Sequence, residues 1–301
     1  MTVITELSTA AKSVVERAGP AVVRVGRNGG RGNGVVFGPG RVVTNAHNLR
    51  GDEITVTFAD GRSDVGRVLG VDVDGDLAVV AVETEGTAAI EWADTDIAQG
   101  DAVFALSRSA AGGVRVSFGM VSATERSFRG PRGRRIRGSL EHTAPLVRGS
   151  SGGPVVDADG RLLGVNTNRL GDGYYLAIPA TAELKERLDG LAAGEVPSPK
   201  RLGVGLAPAG VARRMRQAVG LPARDGLLVR VVEPASPADR AGLQPGDLLV
   251  AADGHDLAAV DDLFSILDAA GDGLDLKILR GADELDVRVQ FGAATTTEGT
   301  A

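Results

Sequence analysis

From Ala21 onward the pattern turns strand-like, with short runs rich in Val, Ile and Leu separated by tight-turn residues. AVVRVG, GVVFG, RVVTNAHNL and EITVTFADG come first, punctuated by Gly38-Pro39-Gly40 and Asp60-Gly61, and SDVGRVLGVDVDGDLAVVAVET continues the series. A second series contains AVFALS, VRVSFGMVSAT, GPVVDADGRLLGVNTN and YYLAIPA, with the DADG after Val156 marking a hairpin. Two successive sets of about six strands, with hardly a helix between them, predict two antiparallel barrels or sandwiches. Helical spacing is confined to the flanks: Ser8 to Ala18, stopped by Gly19-Pro20, and Thr181 to Leu191.

The pattern changes after Leu191. AAGEVPSPK reads as a linker because Pro197 and Pro199 disfavour regular structure. RLGVGL then predicts a strand, the stretch from Gly226 to Gly254 mixes strands with a short helix, AVDDLFSILDAAG is a helix, and LDLKILRGADELDVRVQF is a hairpin. The helix carries two apolar stripes, Leu263/Ile266/Ala270 and Val260/Phe264/Leu267, so one can face the core while the other walls a groove. The expected organisation is a helical segment (1–19), a double-β unit (20–190), a linker (191–200), a mixed third unit (201–292) and a polar tail (293–301).

Composition narrows the chemistry. Apolar residues make up 43% and charged residues 24% of the 301, the balance of a protein with an ordinary core. Cysteine is absent, which removes disulfides and thiol chemistry. The three histidines, His47, His142 and His255, are far apart and lack i, i+4 pairing, so neither a zinc site nor any cofactor is expected. A net charge of −6 argues against general nucleic-acid binding. The six arginines of RSFRGPRGRRIRGS, Arg126 to Arg137, read first as a solvated loop and second as a dock for an anionic partner. The first twenty residues contain Glu6 and Glu16 and no long apolar run; neither a secretory signal nor a membrane span is expected there, and the expected location is the cytoplasm.

RGSSGGPVV, from Arg148 to Val156, places two serines among glycines. A serine nucleophile needs a base and donors for an oxyanion, and flanking glycines let successive N–H groups face one concavity. GSSGG also fits the G-x-S-x-G elbow of α/β-hydrolases, but no helix follows it, and the single downstream histidine, His255, falls in the third unit. Upstream, VVTNAHNL puts His47 at a strand end and GDLAVVAV puts Asp76 at a strand start. The order His47, Asp76, Ser151 is that of chymotrypsin-type proteases.

TNAH, GDLAV and GSSGGPVV, followed by GVNT and LAIPA, resemble the HtrA/DegP (Do-like) serine proteases, and RLGVGL with ASPADRAGLQPGDLL resembles their PDZ domain. The resemblance implies a mainly β chain: a chymotrypsin-like double β-barrel followed by a small α+β PDZ domain. It implies Ser151 as nucleophile with Ser150 as a spacer, His47 as general base, Asp76 as its orienting acid, Asp72 and Asp74 as turn residues, and the N–H groups of Gly149 and Ser151 as oxyanion hole. His142 is expected to be structural. Leu146, Val147 and the segment Asn166 to Leu170 match loops that line the S1 pocket, where aliphatic walls favour Val or Ala; Arg169 stands where an aliphatic residue is usual. Asn48 is a second departure, following the histidine where the family has an aliphatic residue. In the PDZ unit, Leu202, Gly203 and Val204 would bind a terminal carboxylate and offer a strand edge, Arg201 would attract the carboxylate, and Val260, Phe264 and Leu267 would wall the groove. The implied activity is ATP-independent endopeptidase cleavage of unfolded or damaged protein, with C-terminal peptides as PDZ ligands. The alternative is a latent protease domain serving as a chaperone-like or adaptor scaffold. Family members are often trimers held by N-terminal aromatic residues. No Phe, Tyr or Trp precedes Phe37 here, which leaves an aliphatic contact around Val14 and Val15 for a homo-oligomer.

Overall fold

The computed structural model describes residues 2–26, 32–94, 96–109, 112–130, 135–171, 173–195, 200–207 and 209–291. Contacts divide the chain into two units, Met1–Pro197 and Ser198–Ala301. In the first, helix α1 (Val3–Ala18) precedes strands β1 (Val22–Val25), β2 (Gly32–Gly38), β3 (Arg41–Thr44), β4 (Glu53–Thr57), β5 (Ser63–Asp72) and β6 (Leu77–Ala81). These six close into a barrel in the order β1-β2-β3-β6-β5-β4. Strands β7 (Ala102–Arg108), β8 (Val114–Arg129), β9 (Arg135–His142), β10 (Pro154–Val156), β11 (Leu162–Arg169) and β12 (Tyr175–Pro179) close a second, in the order β10-β11-β12-β9-β8-β7. Closure leaves neither barrel with an open edge.

The buried valines of β1, β3 and β6 fill the first barrel, and the same buried cluster takes in Phe104, Leu106, Val156 and Leu162 from the second. Arg108, at the end of β7, crosses the seam between the barrels. Its buried guanidinium donates from Nε to the Val22 carbonyl (2.8 Å) and from Nη2 to the Gly19 carbonyl (3.0 Å). Helix α2 (Ala182–Ala192) lays Leu184, Leu188 and Leu191 into the first barrel's core. Leu191, placed from sequence at the start of the linker, is thus the last core residue of α2. Helix α1 begins five residues before the expected Ser8, because the Thr2 hydroxyl caps it by accepting the Thr5 N–H (3.4 Å). Its Val14 is fully buried in the chain's own core, so Val14 has no surface to give an intermolecular contact.

The arginine-rich stretch is mostly paired strand where a loop was expected. Arg126 and Arg129 lie on β8, Arg135 and Arg137 on β9, and Arg126 Nε donates to Glu141 Oε2 at 2.9 Å; Arg132 and Arg134 lie outside the described residues.

The second unit contains β13 (Val204–Ala207), α3 (Ala209–Ala218), β14 (Leu227–Val232), α4 (Pro237–Arg240), β15 (Leu248–Ala252), β16 (His255–Asp256), α5 (Val260–Ala269), β17 (Gly273–Arg280) and β18 (Asp283–Gln290). The sheet runs β13-β14-β15-β17-β18, which makes β13 an edge strand. One buried cluster joins this sheet to α5 through Leu263 and Leu267; a second joins it to α3 through Ala212. Helix α3 was absent from the sequence-based expectation, because little beyond Ala212 and a buried arginine, Arg216, faces its core.

Candidate active site

Strand β3 ends at Thr44, and a 3-10 turn over Ala46–Asn48 presents His47. Asp76 precedes β6 with a φ of 55°, the left-handed region that non-glycine residues enter at a cost of roughly 1 kcal/mol or more. The turn before it is held from both sides: Asp72 accepts the Gly75 N–H at 2.8 Å and pairs with Arg187 of α2.

The Asp76 carboxylate is 2% exposed and collects donors. His47 gives its backbone N–H (3.1 Å) and Nδ1 (2.9 Å to the nearer oxygen), and Thr167 gives its hydroxyl (2.5 Å). Asn45 Nδ2 anchors the Asp76 backbone carbonyl at 3.0 Å. An ionised carboxylate only accepts, so Nδ1 carries the imidazole proton and Nε2 keeps its lone pair.

His47, Asp76 and Ser151 line one cleft of about 470 Å³. The Ser151 hydroxyl does not meet His47 within hydrogen-bonding distance; it donates to the Thr167 carbonyl at 3.1 Å. Thr167 therefore touches both the acid and the serine, a link that a threonine in a β-strand does not announce in sequence.

The turn around Ser151 is built so that its carbonyls are engaged. Asn33 Nδ2 donates to the Gly149 carbonyl (2.6 Å), the Gly153 N–H to that of Ser150 (3.0 Å), and the Asn33 N–H to that of Ser151 (2.7 Å). Gly149 (φ 85°) and Gly152 (φ 87°) adopt left-handed backbone, and a Cβ on Gly152 would collide with the Asn33 carbonyl. Among the described residues, no acceptor takes the N–H of Gly149 or of Ser151. Two donors without acceptors beside a serine match the requirement for binding an oxyanion. The Ser150 hydroxyl is buried and has no partner among the described residues.

His142 is fully buried behind this turn and does not line the cleft. Its Nε2 bonds Asn166 Oδ1 (2.8 Å), and Asn166 in turn accepts the Gly152 N–H (2.7 Å) and donates from Nδ2 to the Gly153 carbonyl (3.0 Å). Burial lowers the His142 pKa below the ordinary value, with the Asn166 bond opposing it.

Of the residues expected in S1, Leu146, Val147, Asn166 and Arg169 line the cleft, together with Arg148 and Tyr175. Leu170 does not. It is 42% exposed, in a turn closed by its N–H to the Tyr174 carbonyl (3.0 Å). Arg169 lies 5.7 Å from the Tyr175 ring centroid and donates to the Gly171 carbonyl at 2.8 Å.

In the second unit, the N–H groups of Leu202 and Gly203 have no acceptor among the described residues, while their carbonyls accept from Ala238 and Glu233 (2.9 and 2.8 Å). The Leu202 side chain is buried. Val204, Val260 and Phe264 are half-buried at the core's margin; Leu267 is in the core beside Leu263, one turn away, so it reaches at most the floor of a groove. Arg201 pairs with Glu233 at 3.4 Å.

Comparison with known proteins adds a family. The family model of a trypsin-like peptidase domain matches residues 32–165, and that of a PDZ domain residues 228–280. The putative serine protease HhoA of Synechocystis sp. is 32% identical over 293 residues, which cover 91% of this chain and 73% of the relative. The chain belongs to the HtrA/DegP family of serine proteases. Other HtrA relatives extend further beyond it: a probable periplasmic serine protease do/HhoA-like of Haemophilus influenzae is 29% identical, and the match covers 59% of its length. Among solved HtrA structures, the HtrA-type protease AlgW with tripeptide is 27% identical with a TM-score of 0.65, covering 94% of this chain and 96% of that one. The serine endoprotease from Yersinia pestis is 25% identical with a TM-score of 0.69, covering 93% and 96%. The order of two barrels and a PDZ domain is the HtrA architecture.

Proposed function

We propose that this HtrA-family chain is an ATP-independent serine endopeptidase acting on unfolded or damaged protein, with Ser151 as nucleophile, His47 as general base and Asp76 as the group that orients the imidazole. One observation carries the reading: the Asp76 carboxylate grips His47 Nδ1 in the same cleft where Ser151 sits beside two N–H groups without acceptors. In this scheme the Ser151 hydroxyl leaves the Thr167 carbonyl and bonds Nε2 when substrate binds. Nε2 then takes the proton as Oγ attacks the peptide carbonyl, the N–H groups of Gly149 and Ser151 bind the oxyanion, and the imidazolium returns the proton to the leaving amine. Leu146, Val147, Asn166 and Arg169 form the S1 wall in this scheme.

The PDZ unit captures C-terminal peptides in the same proposal. The N–H groups of Leu202 and Gly203 receive the terminal carboxylate, the edge of β13 accepts the peptide as an added strand, and Val260 and Phe264 contact its apolar side chains.

A second reading, a scaffold whose protease domain rests inactive, is favoured by the Ser151 hydroxyl bonding Thr167 instead of His47. Catalytic hydrogen bonds are often loose without substrate, so the two readings part on reactivity. A fluorophosphonate probe tests them, with and without a peptide ending in an apolar residue. Labelling, alone or induced by peptide, supports the endopeptidase; no labelling under either condition supports the scaffold.

A further inference from the structure

We infer that Asn33 is a positioning residue for the oxyanion turn, clamping the carbonyls of Gly149 and Ser151 so that the N–H groups of the same two residues stay free for substrate. The inference rests on the serine-protease reading above. Asn33 stands on β2 of the first barrel, while the turn belongs to the second, so the contact ties the nucleophile's loop to the barrel that carries His47 and Asp76.

All four polar groups of Asn33 are engaged. Nδ2 donates to the Gly149 carbonyl (2.6 Å) and the backbone N–H to the Ser151 carbonyl (2.7 Å). Oδ1 accepts the Arg108 N–H (2.6 Å), and the Asn33 carbonyl accepts the Thr44 hydroxyl (2.6 Å). The Arg108 N–H fixes which end of the amide is oxygen, so Nδ2 has to face Gly149; the reverse orientation would set oxygen against oxygen. Asn33 is 1% exposed, where water does not replace a lost partner. Asn48, next to His47, adds a second donor to the Ser151 carbonyl (3.2 Å) and is itself held by the Thr44 hydroxyl (3.0 Å).

A trans peptide sends its N–H opposite its C=O. The 149–150 peptide is held on one edge by Asn33 and on the other by the Ser150 N–H to the Val147 carbonyl (3.3 Å). The 150–151 peptide is held at its carbonyl by the Gly153 N–H, which turns the Ser151 N–H the other way. The 148–149 peptide, which carries the Gly149 N–H, has no such hold of its own among the described residues and inherits its orientation from its held neighbour. Loosening the Gly149 carbonyl therefore acts first on the oxyanion donor.

Asn33→Asp separates positioning from bulk. It keeps the volume and the acceptor for Arg108 but sets a carboxylate oxygen against the Gly149 carbonyl. At pH 8, kcat on a fluorogenic peptide and the fluorophosphonate labelling rate are expected to fall about 10- to 100-fold, the scale of a compromised oxyanion donor, with KM within about twofold. A carboxyl buried against a carbonyl has a raised pKa, and once protonated its O–H donates where the amide did. The deficit relative to the unsubstituted protein should therefore narrow as pH falls toward about 5.5, a recovery that packing damage would not give. Asn48→Ala, which leaves Asn33 in place, should lower kcat about threefold at unchanged KM; because Asn48 is itself buried, its melting temperature falls as well, so the split between kcat and KM is the readout. Undiminished labelling by both variants at pH 8, or a loss in Asn33→Asp that stays the same at every pH, overturns the clamp. Either result leaves the nucleophile assignment standing, since Ser151→Ala tests that separately.

Discussion

His142 shows how one buried side chain can matter without touching substrate. Its neutral ring, stacked on Tyr175 with 5.7 Å between centroids, holds Asn166, which holds Gly152 and Gly153. Because burial depresses its folded-state pKa, the unfolded chain binds a proton there first. Stability is therefore complete above the unfolded value of about 6.5 and falls as pH drops from there toward the folded pKa, by at most about 1.4 kcal/mol per pH unit. Denaturant titrations of the native chain and of His142→Gln between pH 7 and 5 should show the steeper decline in the native chain; parallel declines would contradict it. The residues of the site were unequally legible. His47, Asp76 and Ser151 stand in motifs whose order is informative, whereas Thr167, Asn33 and Asn45 are ordinary polar residues of strands and turns. Their roles exist only once the barrels close and bring residues 33, 76 and 167 together.

At the level of elements, the short β-branched runs between turn residues were a reliable guide: β4 alternates between core and surface, while β1, β3, β6 and β7 are buried almost throughout. Register and closure were not legible, since they depend on pairings such as Arg24 with Thr57 that are distant in sequence. Helices fared less evenly. Helix α2 has a stripe of Leu184, Leu188 and Leu191, while α3 offers mainly Ala212 to its core and has its buried Arg216 donating from Nε and Nη2 to the Pro222 and Gly281 carbonyls (3.3 and 3.1 Å). The burial of α2 also carries a stability cost that can be measured. Leu188 is fully buried against the first barrel, so Leu188→Ala should destabilise the first unit by about 2–5 kcal/mol. Unfolding followed by hydrogen exchange in β5 and β6 reads that unit specifically; a change below about 1 kcal/mol would show that α2 docks loosely.

Over the whole molecule, the division of labour follows the topology. Every residue of the proposed triad, the oxyanion turn and the S1 wall lies in the unit Met1–Pro197, and every residue of the proposed peptide groove lies in Ser198–Ala301. The first barrel supplies His47, Asp76 and Asn33, and the second supplies Ser151 and Thr167, so the cleft exists only where both barrels are folded and joined. The central claim is that Ser151, and not its neighbour Ser150, is the nucleophile of an endopeptidase. Cleavage of casein by the Ser151→Ala and Ser150→Ala variants tests it most directly. Loss of a triad serine costs on the order of 10⁶-fold in turnover, so Ser151→Ala should show no measurable cleavage. Ser150→Ala removes a buried hydroxyl without a partner and should stay within about threefold of the native rate. Persistent cleavage by Ser151→Ala, or its loss only in Ser150→Ala, would contradict the assignment.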